Sequence, residues 1–161
     1  MTRRGLTHLD AEGRANMVDV SAKDLTARRA VAEGRIVMAK ETLERIRGGR
    51  TAKGDPVLVA ELAGIMGGKK TADLIPLCHA LPGASIHVAL ETSDQPPGVV
   101  ARAEATITGR TGVEMEALTA VSIALLTVYD MVKAVDRGMR IEGIRLVSKD
   151  GGRSGEWSAD E

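Results

Sequence analysis

The chain has 161 residues, 43% of them hydrophobic and 27% charged, and its 22 acidic residues balance its 22 basic ones. This length and composition support one domain with a real core, so we expect a single domain over residues 1–161, with flexible ends at 1–16 and 151–161. The zero net charge excludes a bulk attraction to nucleic acid or to an anionic membrane, and the absence of Phe removes the stacking platforms that bind single-stranded nucleic acid.

The cysteine content and the first residues bear on the compartment of the protein. A single cysteine, Cys78, excludes an internal disulfide framework and has too few companions for a closed zinc site of Cys and His ligands. The N-terminal residues lack the apolar centre of a secretory signal, and no apolar run approaches the ~20 residues that span a bilayer. We therefore expect a cytoplasmic protein without a membrane association or a structural metal.

The first periodic segments predict a strand and a short helix. Residues 1–27 show little periodicity and are expected to form mostly loop, whereas residues 28–38 predict a strand. An amphipathic turn of helix follows; it carries Thr42, Leu43 and Ile46 and ends at a glycine pair, where a positive φ costs little.

A second helix has the clearest start signal. Asp55 offers an N-cap acceptor directly before Pro56, which suits the first helical position. The helix is expected to stop at the glycine pair of residues 67–68. Its large apolar residues are spaced for one helical face: Leu58, Leu62 and Ile65.

Three strands and a long helix complete the chain. Residues 84–92 alternate between apolar and polar, and residues 93–98 turn the chain into a second alternating strand at 99–108, so the two strands predict a hairpin. A helix then spans 112–133, and residues 144–149 predict a last strand. The order βαββαβ predicts an α+β fold, a ferredoxin-like antiparallel sheet with helices packed on one face.

The long helix has two different faces. At ~100° per residue its aliphatic residues form a stripe suited to a core: Leu118, Val121, Leu125, Val128, Val132 and Val135. The other face mixes ionisable and aliphatic groups, which suits a cleft or a subunit contact: Glu116, Thr119, Ile123, Leu126, Thr127, Asp130 and Lys133. Glu116 and Asp130 share this face, but a rise of ~1.5 Å per residue separates them by ~21 Å. They therefore serve opposite ends of a long substrate or a site built from two subunits.

Each charged group of this helix also has a purely structural interpretation. Thr111 and Glu114 have the spacing of a capping box, which explains Glu114 at least as well as a chemical role does. Glu116 serves either a functional site or only the helix dipole. Asp130 and Lys133 are adjacent on the helix surface, and the simpler interpretation is an exposed ion pair worth ~0.3–0.5 kcal/mol. The residues alone leave both interpretations open.

A thiol, an imidazole and several lysines stand near element ends. Cys78 is explained more simply as a small buried hydrophobe than as a nucleophile, and His79 either donates to a phosphate or purine edge or is an ordinary surface histidine. Lys53, Lys69 and Lys70 lie near glycines and a helix start, where lysines and backbone amides converge on phosphates, although such lysines are usually solvated. The sequence has no Walker loop, dinucleotide fingerprint or HExxH motif.

Five blocks along nearly the whole chain resemble the molybdenum cofactor biosynthesis protein C family: MVDVSAK (17–23), KGDP (53–56), KKTADLIPLCH (69–79), GVEMEALTAVSIALLTVYDMVKA (112–134) and GGRSGEW (151–157). The family is cyclic pyranopterin monophosphate synthase. This lyase rearranges 3′,8-cyclo-7,8-dihydroguanosine triphosphate into cyclic pyranopterin monophosphate and releases diphosphate. The resemblance therefore implies an enzyme of molybdenum cofactor biosynthesis.

The resemblance also implies roles for single residues. Asp130 occupies the position of the family's active-site acid, with Lys133 beside it and Lys53 as the other catalytic lysine. Other positions match the substrate-binding segments or would serve the triphosphate: Leu77, Cys78, His79, Glu114, Met115, Glu116, Arg28, Lys69 and Lys70. Ala80 departs from the proline usual in the family, which puts the rigidity of that loop in doubt and not the chemistry.

The implied chemistry is proton shuttling during ring opening, followed by attack of a ribose oxygen on the α-phosphorus as diphosphate leaves. In this hypothesis Asp130 and Lys133 form an acid/base couple and the other lysines neutralise the polyphosphate. Family members are homohexamers, trimers of dimers with active sites at subunit interfaces, which would resolve the separation of Glu116 from Asp130. No firmly bound cofactor is implied, although Mg²⁺ could accompany the triphosphate.

Two other functions fit the same fold. A non-catalytic regulatory domain would bind a nucleotide and would need no couple of Asp130 and Lys133. An RNA-binding domain could use the same strand order, but the zero net charge and the lack of aromatic residues on the strands argue against it.

Overall fold

The computed structural model describes residues 13–49, 51 and 53–160. The elements follow in the order β1 (Thr26–Val37), α1 (Lys40–Arg47), α2 (Pro56–Lys69), α3 (Thr71–Leu74), β2 (Ser85–Asp94), β3 (Pro97–Gly109), α4 (Glu114–Val132), β4 (Arg140–Asp150) and β5 (Trp157–Ser158). Every predicted strand and helix is present with shifted ends, whereas α3 and β5 were not predicted. Most of the predicted flexible segment 1–16 lies outside the described residues.

The strands form one antiparallel sheet in the order β2-β3-β1-β4-β5. Its first four strands have the order of a ferredoxin-like sheet, which confirms the predicted fold class. The long helices α2 and α4 pack together on one face of the sheet. Alternate residues of β1 point to this face and are fully buried in the core: Ala30, Ala32 and Ile36. The opposite face carries charged residues that pair across strands, such as Glu33 with Arg145.

Helix α4 lies at the centre of the core. The predicted aliphatic stripe is confirmed in its middle, where Val121, Leu125 and Val128 are fully buried. The stripe does not extend as far as predicted, since Leu118 is only partly buried and Val135 is exposed beyond the helix end. By length and composition α4 could cross a membrane, which the sequence criterion did not detect, but half of that stretch is buried, as in the core helix of a globular fold.

Helix α2 begins as predicted, but of its predicted apolar face only Ile65 packs against the core, whereas Leu58 and Leu62 do not. Asp55 Oδ1 accepts hydrogen bonds from the amides of Val57 at 2.9 Å and Leu58 at 3.3 Å, and Pro56 takes the first helical position. Such a cap stabilises a helix by ~1 kcal/mol. Leu58 and Leu62 are 63% and 60% exposed. We define the α2 stripe as three exposed residues of this helix: Leu58, Leu62 and Met66.

The core-facing side of α2 consists of small residues. A Cβ added at Gly64 would lie 2.9 Å from the carbonyl oxygen of Ala120, and one at Gly67 would lie 2.6 Å from Cγ1 of Ile123. Both distances are too short for a side-chain contact, so glycine lets the two helices approach more closely than any larger residue would. We call Gly64, Gly67 and Gly68 the glycine seam.

Two regions near the end of the sheet differ from the sequence prediction. The capping box of Thr111 and Glu114 is wrong, because the N-cap position is Val113 and no side chain makes a cap hydrogen bond there. The glycine-rich tail, which has no packing signal in the sequence, returns to the sheet at β5. There Trp157 pairs in register with Lys149 of β4.

Candidate active site

Three charged side chains meet where α4 ends. Asp130 binds Lys133 Nζ through Oδ1 and Lys53 Nζ through Oδ2, both at 2.7 Å. About half of each side chain is exposed, so a ligand can reach the group. The structure therefore brings together the three residues that were predicted to be catalytic. We call them the Asp130 cluster.

A tight turn presents Lys53 to Asp130. The amide of Thr51 donates to the carbonyl oxygen of Gly54 at 2.9 Å, and the amide of Gly54 donates back to Thr51 at 3.1 Å. Gly54 has a φ of 108°, which glycine adopts without steric cost. Because Asp55 starts α2 at the next residue, the capped helix fixes where this turn lies.

The two ammonium groups change the titration of Asp130. Hydrogen bonds from Lys133 and from Lys53 lower the pKa of the Asp130 carboxyl to about 2. The same contact raises the pKa of Lys133 above its ordinary value. At neutral pH the Asp130 carboxyl is therefore ionised and Lys133 is protonated, so Lys133 holds a proton that can be donated and Asp130 does not.

An apolar cavity of about 310 Å³ lies beside the first turn of α4. Five residues predicted to bind substrate line it: Leu77, Cys78, His79, Glu114 and Met115. Leu77 has a positive φ of 62°, which is uncommon outside glycine, so the backbone of this wall is held in one particular shape.

His79 is anchored by the N-terminal segment. Its Nε2 lies 2.8 Å from the carbonyl oxygen of Val18. Because a carbonyl only accepts hydrogen bonds, Nε2 donates this one, and Nδ1 is left for a ligand. A half-buried ring held in this way favours a site residue over a solvated surface histidine.

Glu116 is the most buried of the predicted site residues. Its exposure is 4%, and within the part of the chain that the structure describes its Oε2 has no hydrogen-bond partner. Burial raises the pKa of Glu116, and the charge of Glu114 adds to the shift. Carboxyl groups rarely stay buried and unpartnered without a functional reason, so this environment favours a site residue over a simple dipole partner.

The cavity next to Glu116 contains the paired lysines. It has a volume of about 360 Å³ and is lined by Lys69, Lys70 and Glu116 among others, so we call it the lysine cavity. Lys69 Nζ donates to the carbonyl oxygen of Ala84 at 3.1 Å, which holds this lysine against the wall. Lys69 and Lys70 therefore lie beside Glu116 and apart from Arg28.

Cys78 behaves as a small apolar residue. Burial, with a further contribution from Glu116, raises the pKa of its thiol. The thiol is therefore protonated at neutral pH and is a poor nucleophile. This agrees with the interpretation drawn from the sequence.

A basic cavity of about 180 Å³ surrounds Arg28, and the sequence revealed few of its residues. Arg28 donates to the carbonyl oxygens of Gly109 at 3.4 Å and Gly151 at 3.3 Å, which fixes it between the ends of β3 and β4. Four further cations line the cavity: Lys23, Arg29, Arg110 and Lys149. A wider space of about 530 Å³ continues it beneath the tail. Local positive charge thus exists in a chain without net charge.

These cations could have been found from their positions relative to the strands. Arg28 and Arg29 lie near the start of β1, Arg110 directly follows β3, and Lys149 lies at the end of β4. In an antiparallel sheet the start of one strand and the ends of its two neighbours meet at the same edge. Sequence spacing alone hides this, because the residues come from distant parts of the chain.

The predicted site residues fall into two groups at opposite ends of α4. The three cavities lie near its N-terminal end, while the Asp130 cluster lies at its C-terminal end. Along the helix, Glu116 and Asp130 are ~21 Å apart. Within the described residues of one chain, the Asp130 cluster lines none of these cavities.

A model of the MoaC family matches residues 17–152. The chain belongs to the MoaC family. Among similar MoaC proteins, the cyclic pyranopterin monophosphate synthase of Methylobacterium sp. (strain 4-46) is 63% identical over 155 residues, 96% of this chain and 97% of the relative. The protein of the same name from Dinoroseobacter shibae is 59% identical, covering 97% of this chain and 99% of the relative. That from Chloroflexus aggregans is 57% identical, covering 97% and 94%.

The match to the MoaC model contains both groups of site residues. It extends over every predicted site residue from Arg28 to Lys133 and also over Lys23 and Lys149. In the described ranges, no group of three or more His, Cys, Asp and Glu side chains is placed to hold a metal ion.

Proposed function

We propose that this chain is a cyclic pyranopterin monophosphate synthase, a lyase of molybdenum cofactor biosynthesis. It converts 3′,8-cyclo-7,8-dihydroguanosine 5′-triphosphate into cyclic pyranopterin monophosphate and diphosphate. Relatives that are 57% to 63% identical over nearly the whole chain carry that enzyme name. The structural observation that supports the proposal is that the apolar and basic cavities share a wall, formed by Thr111, Gly112 and Glu114.

This shared wall suits a ring system joined to a polyphosphate. The ring would occupy the apolar cavity, where Nδ1 of His79 is available for a hydrogen bond. The triphosphate would occupy the basic cavity, where Lys23, Arg28, Arg110 and Lys149 supply positive charge at close range. The lysine cavity leaves Glu116 and Lys69 beside the ring, so they are placed for contacts with its polar edge.

The Asp130 cluster supplies the proton chemistry in this proposal. The lysines act as the acids, and the Asp130 carboxylate holds both ammonium groups in place. During cyclisation the ribose oxygen forms a bond to the α-phosphorus, the bond from that phosphorus to the departing diphosphate breaks, and the hydroxyl proton passes to an oxygen of the departing diphosphate. Positive charge from Lys53 and Lys133 stabilises the negative charge that develops. Asp130 is thus the anchor of the couple and not its proton donor.

We further propose a homohexamer, a trimer of dimers, in which the Asp130 cluster of one subunit completes the cavities of another. The ~21 Å between Glu116 and Asp130 supports this, because one chain leaves the two groups of residues apart. The α2 stripe supplies an uncovered apolar surface close to α4, where Leu126 is also 55% exposed. A two-fold axis that pairs antiparallel α4 helices would bring opposite ends together.

A turnover assay separates this proposal from a regulatory nucleotide-binding domain. Purified chain is incubated with 3′,8-cyclo-7,8-dihydroguanosine triphosphate, and chromatography follows the pterin product while a coupled assay follows diphosphate. The enzyme forms both in equal amounts. A regulatory domain would bind the compound and return it unchanged, and that result would remove the proposal.

A mixing experiment tests the shared site. One variant carries Asp130→Asn and the other carries Arg28→Ala with Lys149→Ala, so each damages one group of residues. In an equal mixture, about half of the dimers contain one subunit of each variant. If the sites are shared, each such dimer has one intact site of two, so activity recovers to about a quarter of the wild-type value. Two inactive variants that stay inactive after subunit exchange would contradict a shared site.

The remaining parts of the proposal concern location and metal. We propose a cytoplasmic enzyme that holds no firmly bound cofactor and has no nucleic-acid or membrane partner. Any Mg²⁺ would arrive with the triphosphate and not in a carboxylate site of the chain. Elemental analysis of the purified protein after dialysis tests this, and a stoichiometric divalent metal would contradict it.

A further inference from the structure

Glu114 is part of a half-buried polar chain at the start of α4. Its Oε1 accepts a hydrogen bond from Lys149 Nζ at 3.0 Å, and the same ammonium donates to Ser154 Oγ at 2.9 Å. The side chains of Glu114 and Lys149 are only 29% and 26% exposed. The pair is therefore less screened by solvent than the Asp130 cluster, and both of its members are restricted in orientation.

The position of this pair distinguishes it from the other ion pairs among the described residues. Glu114 lines both the apolar cavity and the basic cavity, whereas Lys149 and Ser154 line the basic cavity and not the apolar one. The carboxylate thus holds the Lys149 ammonium at the boundary between the two spaces. A ligand that fills both cavities must pass this boundary.

Gly112 leaves the space that the Glu114 carboxylate occupies. A Cβ on Gly112 would overlap Oε2 and the carboxyl carbon of Glu114. No positive φ is required of Gly112, so its role is to leave space and not to adopt a special backbone conformation. The carboxylate folds back over this glycine toward Lys149.

A carboxylate at the wall of an anion cavity needs an explanation. Its charge lowers the positive potential that would attract a phosphate, so on charge alone it opposes binding. Its presence is useful only if the orientation that it gives to Lys149 outweighs that loss. If the charge effect dominates, removal of the Glu114 carboxylate should tighten phosphate binding. If the orientation of Lys149 dominates, its removal should weaken phosphate binding.

We propose that Glu114 is a positioning residue that holds Lys149 at the junction of the two cavities, where the ammonium contacts the phosphate nearest to the ring system. The inference rests on the proposed function for the identity of the ligand, a nucleotide-derived triphosphate. It assigns Glu114 an action through Lys149 and not a contact with the reacting atoms. Ser154 then ties the tail to the same ammonium.

The test measures binding of GMP and GTP as non-reacting probes by titration calorimetry at fixed salt. Glu114→Gln is expected to weaken both nucleotides by about threefold to tenfold, the effect of one charge-assisted hydrogen bond. The two losses are expected to be similar, because both probes carry the phosphate nearest to the ring. Unchanged or tighter binding of the probes would overturn the proposal in favour of the charge effect.

Gly112→Ala gives the same test without a change of charge. The added Cβ displaces the carboxylate, so nucleotide affinity should fall as in Glu114→Gln. Wild-type affinity in Gly112→Ala would overturn the proposal. The matched control is Glu104→Gln, which makes the same charge change at the partner of Arg29, another cation of the basic cavity. It is expected to leave affinity unchanged or to increase it, and a loss equal to that of Glu114→Gln would also count against positioning.

The outcome is independent of the turnover assay. A chain that binds GMP and GTP in a manner dependent on Glu114 but releases no diphosphate keeps the positioning role and loses the proposed function. A chain that turns over normally with Glu114→Gln, with unchanged KM, keeps the function and loses the positioning role.

Discussion

The two ends of α4 hold carboxyl groups in opposite environments. Glu116 is 4% exposed and has an oxygen without a partner, whereas Asp130 is half exposed and has two ammonium partners at 2.7 Å. Burial raises the pKa of the first and the lysines lower the pKa of the second. One helix therefore carries a carboxyl group with one oxygen that lacks a hydrogen-bond partner among the described residues, and a second carboxyl group whose two oxygens each contact an ammonium group. Among the described residues the first has an oxygen still free for a ligand, while the second holds two lysines in place.

The largest expected effect is at Asp130, near the C-terminal end of α4. Asp130→Asn removes the charge that holds Lys53 and Lys133, so turnover should fall by about 100-fold or more while the fold persists. The measurement is diphosphate release together with thermal unfolding. Asp94→Asn is the matched control, since Asp94 is an exposed carboxylate that pairs with Arg47 at 2.8 Å and lies outside the site. Near-normal turnover in Asp130→Asn would remove the cluster from the mechanism.

A smaller effect is expected at the apolar cavity. His79→Ala removes the Nδ1 contact to the ligand and the anchor to Val18, so KM should rise by about tenfold with a smaller change in kcat. Steady-state kinetics over a range of substrate concentrations separates the two constants. If KM is unchanged, His79 does not bind the ligand.

The smallest expected effect is a change in the free energy of unfolding when Glu116 is replaced. The raised pKa of Glu116 means that the folded state keeps its proton more strongly than the unfolded state, so stability is present at low pH and is lost as pH rises through the folded pKa. Glu116→Gln should match the wild type at pH 4 and be more stable by about 1 kcal/mol at pH 8. Urea unfolding at both pH values measures this.

Glu104→Gln provides a control of opposite sign for that measurement. A hydrogen bond from Arg29 lowers the pKa of Glu104, so its contribution is present above the unfolded pKa and is lost as pH falls through the folded pKa. At pH 8 this variant should be slightly less stable than the wild type, by about 0.2–1 kcal/mol, since the pair is largely exposed. If Glu116→Gln and Glu104→Gln changed the stability at pH 8 in the same direction, the contrast between buried and paired carboxyl groups would be contradicted.

Much of the fold followed from the sequence because local patterns fixed it. Alternation placed Ile86, Val88 and Leu90 on the buried side of β2, and the cap at Asp55 fixed the start of α2. The orientation of the α2 stripe did not follow. Apolar spacing indicates which residues share a face but not what covers that face, and here the small residues of the glycine seam took the core side instead.

The site was predictable only where its residues are close in sequence. Asp130 and Lys133 lie on adjacent positions of one helix, so their contact could be inferred from spacing. The contact of Lys53 with Asp130 spans 77 residues, and that of Glu114 with Lys149 spans 35. The family resemblance supplied the first, and nothing in the sequence supplied the second. The capping-box prediction failed because α4 begins later than predicted, with Val113 and not Thr111 at the N-cap.

The glycine seam influences the geometry of the distant Asp130 cluster. The turn that presents Lys53 is continuous with α2, and Asp130 belongs to α4, so the separation of these two helices determines how far Lys53 Nζ must reach. A methyl group at Gly67 would wedge the helices apart at Ile123, far from any charged group of the cluster. Residues that carry no chemistry of their own thus act as the spacer that keeps a lysine within reach of its carboxylate.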